Sequence, residues 1–337
     1  MGTPGNFTVA EMEAQRKNIL VTGGSGFIGS HLCDALVERG HLVRCLDNFA
    51  TGKRENIAHL DGARGFHLME ADITDADACA KAVKGMDLVL HLAALGSVPR
   101  SISAPLDTEA VNLGGFVHLL EACRHEGIGR LVYASSSSVY GDSEASPKQE
   151  GQEGRPLSPY AVTKAMDEAY AHLYRHLFGM EVIGLRFFNV FGERQDPEGP
   201  YAAAIPRFIR RMLAHQAPQV HGDGGQTRDF TYVGNAVQAL LAAMDCTDER
   251  ALGSVFNVAC GESTDLLRLI EGLRDRLAME DPAIAAVGIE HIAERPGDVR
   301  HSLADITRAR TVLGYEPRFD LAEGLDRAVP WYRAHWG

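Results

Sequence analysis

Ile19-Leu20-Val21-Thr22-Gly23-Gly24-Ser25-Gly26-Phe27-Ile28-Gly29 decides how the rest of the chain is read. The apolar run is that of a buried strand, the glycines that of a tight turn, and Ser30 to Gly40 that of a helix. A helix opening on such a turn aims free backbone N–H groups and its positive dipole end at whatever lies over the turn. That suits a pyrophosphate. The glycines satisfy two spacings, Gly-x-x-Gly-x-x-Gly (23, 26, 29) and Gly-x-Gly-x-x-Gly (24, 26, 29). In either, missing side chains permit the turn, close phosphate approach and tight helix–strand packing. Glycine turns also end ordinary strands. This one follows a strand, opens a helix and precedes an acidic residue, Asp47, about 20 residues on, which completes a dinucleotide fingerprint.

Strands and helices alternate onward from residue 18. Strands are expected at His41–Leu46, Phe66–Ala71, Asp87–Ala94, Arg130–Ser135 and Val182–Phe188, with long helices near 107–126 and 158–178. Such alternation implies right-handed crossovers and an α/β fold, a Rossmann-type doubly wound parallel sheet with helices on both faces. After Asn189, Gly192, Pro197, Gly199, Pro200, Pro206, Pro218, Gly222, Gly224 and Gly225 break the alternation, as in a smaller α/β lobe set over the strand ends. Ser254–Ala259 reads as a strand returning to the first sheet. The expected division is a dinucleotide-binding domain over 17–188 with a return strand near 254–259, an interleaved substrate lobe over 189–337, and a loose leader over 1–16.

With 337 residues, 45% hydrophobic and 23% charged, the chain is of ordinary globular composition and long enough for both parts. A net charge of -12 argues against nucleic acid or an anionic membrane as partner, though not against an anionic small molecule met by local positive charge. The six cysteines are scattered without a Cys-x-x-Cys pair, as in a reducing compartment, and no metal site is expected. No apolar run approaches the ~18 residues of a membrane span, and Met1–Arg16 lacks the apolar stretch of a signal peptide. A cytoplasmic location is the expectation.

Asp47 ends the second strand, where a carboxylate accepts both hydroxyls of an adenosine ribose and repels a 2′-phosphate. NAD is favoured over NADP, although a helix N-cap would look the same and Arg44 could blur the preference. Asp72 ends the third strand, placed for an adenine amino group or for a plain cap. Tyr160 and Lys164 lie one turn apart on one helix face, announced by Ser158-Pro159. An ammonium beside a phenol favours loss of the phenol's proton, which serves proton transfer. Ser135-Ser136-Ser137-Ser138 end a preceding strand and offer a hydroxyl to share that proton; strand-end turn chemistry accounts for most of the four.

With Asp47-Asn48, the serine strand end, Tyr160-Ala-Val-Thr-Lys164 and Arg186-Phe-Phe-Asn189, the chain after residue 17 resembles the extended short-chain dehydrogenase/reductase family. Gly96-Ser97-Val98-Pro99-Arg100-Ser101, Gln195-Asp196-Pro197 with Tyr201-Ala-Ala-Ala-Ile205-Pro206, and Gly297-Asp298-Val299-Arg300-His301-Ser302 are similar to its UDP-N-acetylglucosamine 4-epimerase branch. The resemblance implies a tightly held NAD near Gly23, Gly26, Phe27, Ile28, Gly29, Asp47, Asn48, Gly52, Asp72, Ile73, Leu92, Ala93, Ala94, Asn112, Tyr160, Lys164 and Val190. It implies that Tyr160 takes the C4 hydroxyl proton, that Ser136 bonds the same hydroxyl with Ser137 alongside, and that Lys164 holds the nicotinamide ribose. Asn189 and Arg228 would grip the UDP phosphates, and Arg295 and Asp298 would reach phosphate and ribose or uracil. Ala203, Ala204 and Arg207 would line the nucleotide site, with Gly96 and Ser97 beside the sugar.

Plainer roles compete: an Arg228–Asp229 ion pair, a strand-end turn for Asn189, a solvated helix charge for Arg207. In the resembled family, epimerases restricted to non-acetylated sugars tend to carry tyrosine where Ser302 stands, so serine opens room for an acetamido group. Phe187 departs from the tyrosine many members carry, at a position not needed for proton transfer. The alternatives are a UDP-glucuronate 4-epimerase or decarboxylase, or a nucleotide-sugar 4,6-dehydratase. Dehydratases typically place Asp-Glu where Ser137 and Ser138 stand, and decarboxylases a glutamate at Ser138. A non-catalytic NAD-binding protein needs no Tyr160, Lys164 and Ser136 together. The resemblance also implies a homodimer through helices 107–126 and 158–178, whose apolar residues include Val117, Leu120, Leu173 and Leu177.

Overall fold

The computed structural model describes residues 16–197, 203–293 and 300–336. Its central strand, β1 (Asn18–Thr22), is apolar along its middle because helices cover both faces: Ile19, Leu20 and Val21 have no exposed surface. Each such side chain contributes about 1.5–3 kcal/mol of burial. Around it the chain builds α1 (Phe27–Glu38), β2 (Leu42–Asp47), β3 (Phe66–Glu70), α2 (Ala76–Val83), β4 (Leu88–His91), α3 (Gly115–Glu126), β5 (Arg130–Ser136), α4 (Pro159–Phe178) and β6 (Glu181–Phe187). After α5 (Ala204–Leu213) and α6 (Val233–Asp245), β7 (Val255–Val258) returns to the outer edge beside β6. The sheet runs β7-β6-β5-β4-β1-β2-β3, and every neighbouring pair is parallel.

One face of this sheet is covered by α1 and α6 through Leu32, Leu36, Leu240 and Met244. The other is covered by α2, α3 and α4 through Cys79, Phe116, Leu120 and Tyr174. A third core forms where α5 meets α7 (Leu266–Ala278) and α8 (Leu321–Trp336), around Phe191, Ile209, Leu273 and Tyr332. Since α6 and β7 complete the first sheet from within the second half, the two bodies interleave.

Three expectations shift. The first helix begins at Phe27, not Ser30: Gly26 is its extended N-cap and Ser30 N–H already bonds the Gly26 carbonyl at 3.0 Å. The helix expected from 107 starts at Pro105 and passes through one π turn, Ala110–Gly114, before α3. Arg44 does not face a cofactor. Its guanidinium donates to the Ala82 and Lys84 carbonyls at 2.6 and 3.0 Å, satisfying acceptors that the end of α2 leaves open.

Candidate active site

The chain reverses its direction of travel between β1 and β4, so their carboxyl ends frame a crevice, the place where open α/β sheets bind ligands. A cavity of about 810 Å³ fills it. Gly23, Gly26 and Gly29 line its floor, with Phe27 and Ile28. Gly23 has φ +69°, and a Cβ there would fall 2.6 Å from the Ala93 nitrogen; one at Gly29 would overlap the Gly23 carbonyl. A Cβ at Gly24 would instead press 2.5 Å from Cys45 Sγ, inside the core. The ligand-facing spacing is therefore 23, 26, 29. Only at Gly26 would a methyl project with nothing nearer than 3.1 Å, into the space a pyrophosphate would take. Gly52, Leu92, Ala94 and Gly96 continue the wall.

The other expected dinucleotide contacts stand behind that wall. Asp47 is buried, and its oxygens accept from Ser25 N–H at 2.9 Å and Phe49 N–H at 2.8 Å, tying the glycine turn to the following loop. Asn48 donates to Asp72 at 2.7 Å. Burial works against the Asp72 charge, but bonds from Thr74 and Asn48 prevail and hold its carboxyl below the usual range. Ile73 packs in the core against Gly115. Asn112 is fully buried in the π turn and bonds both backbone groups of Leu95 and the Thr163 hydroxyl, bracing the chain beyond β4 against α4.

Ser136, Tyr160 and Lys164 share the cavity's opposite side. The Ser158 hydroxyl accepts from Ala161 N–H at 3.1 Å and Pro159 follows, so α4 starts one residue before Tyr160. Lys164, one turn on, is buried; its ammonium donates to the Ala134 carbonyl and to Asp167, each at 3.0 Å. Burial pulls the Lys164 pKa down, but Asp167 and the nearby Tyr160 outweigh it and the net shift is upward. Ser136 Oγ accepts from Ser138 N–H at 3.1 Å, leaving its own proton to give. Glu168 joins this wall to the sheet, accepting from Ser135 at 2.5 Å and from Arg186 at 2.7 and 2.8 Å.

A second cavity, about 460 Å³, adjoins the first and shares Gln195 and Ala203 with it. It gathers Asn189, Ala204, Arg207 and Arg228 from the second body, and Val190 lines this cavity rather than the dinucleotide one. Asn189 has φ +35° and donates its amide to the Asp229 carbonyl at 3.0 Å, so it is both a turn residue and part of the wall. Asp229 does not spend its carboxylate on Arg228: it accepts from Cys260 and Gly261 N–H at 3.0 Å and Ala304 N–H at 3.3 Å. Burial pushes that carboxyl up to about 7 against these amides.

Three expected sugar-side residues stand off both walls. Ser97 caps the helix Val98–Ser103 by accepting from Arg100 N–H, and Val98 and Pro99 line the smaller cavity in its place. Ser137 sits in the short turn after β5, and Ser302 lies in the strand His301–Ser302, paired beside Arg228. Arg295 and Asp298 lie outside the described residues. Asp167, Glu168 and Gln195 carry much of this site without an individual role expected from the sequence, and Asp229 was expected only as an ion-pair partner of Arg228; Asp167 had a local signal, three residues from Lys164 on the same helix face.

Fold and site together define a nucleotide-binding α/β enzyme with a Tyr-Lys-Ser wall. Residues 19–259 match the NAD dependent epimerase/dehydratase family, and the chain belongs to it. The UDP-glucose 4-epimerase of Mycolicibacterium smegmatis is 37% identical over 316 residues, covering 93% of this chain and 98% of that one. The structure of a UDP-N-acetylglucosamine 4-epimerase from Methanobrevibacter ruminantium, in complex with UDP-N-acetylmuramic acid, superposes with TM-score 0.88 at 38% identity, over 95% of this chain and 99% of that one. The UDP-glucuronic acid 4-epimerase of Bacillus cereus, solved with UDP-glucuronic acid and NAD, gives 0.85 at 33%, over 94% and 99%. The chain is an NAD-dependent enzyme of the UDP-sugar 4-epimerase family, and no helix among its described residues is long and apolar enough to cross a membrane.

Proposed function

We propose that this enzyme inverts C4 of UDP-N-acetylglucosamine to give UDP-N-acetylgalactosamine, with UDP-glucose and UDP-galactose as further substrates. One juxtaposition carries the reading. Ser136, Tyr160 and Lys164 share the cavity floored by the glycine turn, and the adjoining cavity presents Arg207 and Arg228, forks suited to a diphosphate.

The Tyr160 phenol takes the C4 hydroxyl proton and later returns it to the same oxygen, once the sugar has turned its other face to the site. Ser136 donates to the same oxygen. The buried Lys164 ammonium holds positive charge beside the phenol and remains available to a ribose hydroxyl. NAD, when bound, supplies the hydride acceptor and donor for C4. Arg228 and Asn189 keep the nucleotide end while the 4-keto sugar turns about its phosphate link. Serines at 137 and 138 offer no carboxylate for dehydration or decarboxylation. The small side chain at Ser302, in register with Arg228, supports room for an acetamido group.

The test is NMR of UDP-N-acetylglucosamine with purified protein and no added NAD. Appearance of UDP-N-acetylgalactosamine supports C4 inversion, retained cofactor and the open pocket at once. Conversion of UDP-glucose alone overturns the Ser302 argument, and no conversion of either sugar even with NAD overturns the epimerase reading.

We also infer a homodimer. Val162, Met166, Tyr170, Leu173 and Leu177 stripe one face of α4 and are exposed, joined by Ile102 and Leu106 at 64% and 79% exposure. Leu120 is not part of that stripe, being buried in the subunit's own core.

A further inference from the structure

The turn at Gly192–Asp196 is gripped from both bodies. On the dinucleotide side, Arg194 donates to Asp34 of α1 at 2.8 Å, with side-chain exposures of only 19% and 21%. The Glu193 carbonyl meets the His31 ring at 3.0 Å. On the other side, the Tyr332 hydroxyl donates to the Gly192 carbonyl at 2.5 Å, and the Tyr232 hydroxyl donates to the Glu193 carboxylate at 2.9 Å. Asp196 pairs with Lys53 at 3.4 Å, both on the wall of the larger cavity. Arg194 itself has φ +66°, a backbone conformation that a non-glycine residue keeps when its surroundings impose it.

Between these anchors lies Gln195, which lines both cavities. Its amide donates to the Val190 carbonyl at 3.0 Å, and its Oε1 is buried with no partner among the described residues. A side chain held by one end in this way takes its place from the backbone that carries it.

We infer that Asp34 and Arg194 are a positioning pair: they lock this turn across the two bodies and so set the wall that the dinucleotide and UDP-sugar cavities share. The inference rests on the reading of the two cavities given above. Neither residue lines either cavity. Releasing the turn slackens both cavities together, whereas a fault in the Tyr160 wall lowers turnover with binding kept. Asp34 also meets the His59 ring at 2.6 Å, so Asp34→Asn keeps the local shape while removing the charge that Arg194 needs.

The experiment compares wild type, Asp34→Asn, Arg194→Met, the double variant and Arg194→Lys. It measures NAD retained through desalting, the Kd for UDP by calorimetry, KM and kcat, and Tm. Each single variant is expected to weaken UDP at least about fivefold and to shed NAD, with a smaller change in kcat at saturation. The double variant should be no worse than the worse single one, and Arg194→Lys should recover part of the loss. Arg39→Met, at the C-cap of α1, breaks a surface pair with Asp245 at the end of α6 and should change neither readout. Wild-type UDP affinity and NAD retention in both single variants, with or without a lowered Tm, overturn the inference, as do losses that add in the double variant. A wild-type enzyme that turns over no UDP-sugar sinks the epimerase reading separately, because UDP and NAD binding still test the pair.

Discussion

Replacing Asp167 with asparagine strikes the charge pair under the Tyr160 wall while keeping its size. Lys164 and Asp167 have side-chain exposures of 3% and 0%, and their atoms meet at 3.0 Å. Breaking a buried pair by removing one partner costs about 3–5 kcal/mol. A second route gives the same size: Lys164 escapes by losing its proton. At a pH near 7.5 that means roughly three units below the ordinary 10.5, at about 1.36 kcal/mol each, or about 4 kcal/mol. At about 2 °C per kcal/mol for a chain this large, Tm should fall by roughly 6–10 °C. In the wild type the Lys164 pKa is raised, so the pair's stabilisation is complete below the ordinary lysine value and fades as pH rises through the raised one. Without Asp167, burial wins and the pKa drops. The Tm deficit should then be fullest near neutrality, shrink steadily as pH climbs toward the ordinary lysine value and vanish above the raised one, while the alkaline limb of kcat moves to lower pH. Thermal scans and NMR-measured kcat across pH read both. An unchanged alkaline limb together with a Tm within about 2 °C of wild type would refute the argument.

Gly26→Ala should leave Tm near wild type yet abolish NAD retention, because its methyl enters the cavity floor; Gly29→Ala should fail to fold, its Cβ overlapping the Gly23 carbonyl. Leu173→Glu with Leu177→Glu should yield a monomer by light scattering with the far-UV spectrum unchanged, since both side chains are exposed on α4. Arg228→Met should raise KM for the UDP-sugar by about 10–100-fold, the loss of a charged hydrogen bond worth about 1.5–3 kcal/mol, with kcat little altered. Ser302→Tyr should cut activity on the acetamido sugar far more than on UDP-glucose, read by NMR on each.

What the sequence made legible was local. The glycine turn, each alternating strand and the Tyr160–Lys164 spacing are signals that each span only a few residues, and each is read from its own local pattern. Even there the fingerprint was ambiguous between Gly23 and Gly24, because choosing needs to know that Cys45 lies behind one of them. The supports were not legible, since they join residues far apart in the chain. Glu168 reaches back to Ser135 and forward to Arg186, and Asp34 finds Arg194 only after five strands of the central sheet have been laid between them. A carboxylate on a helix looks like a solvated charge until the fold brings its partner.

Asp229 shows why this matters for specificity. The strand His301–Ser302 is only two residues long, too short to fix its own register, yet it sets Ser302 beside Arg228. A slip of one residue would turn Ser302 to the other face and bring a neighbour beside the arginine. The buried Asp229 carboxylate prevents the slip by binding Ala304 N–H on one side and Cys260 and Gly261 N–H on the other, with Arg228 as its immediate neighbour in the chain. The Thr227 N–H to Arg300 carbonyl bond, 2.9 Å, closes the other end. One buried carboxylate thus ties the backbone beside Arg228 to the strand that carries Ser302. Asp229→Ala removes the acceptor of three amides, at about 1–3 kcal/mol for the buried Ala304 N–H and less for the half-buried Cys260 and exposed Gly261, and should blur the choice between acetylated and plain sugars along with weakening UDP.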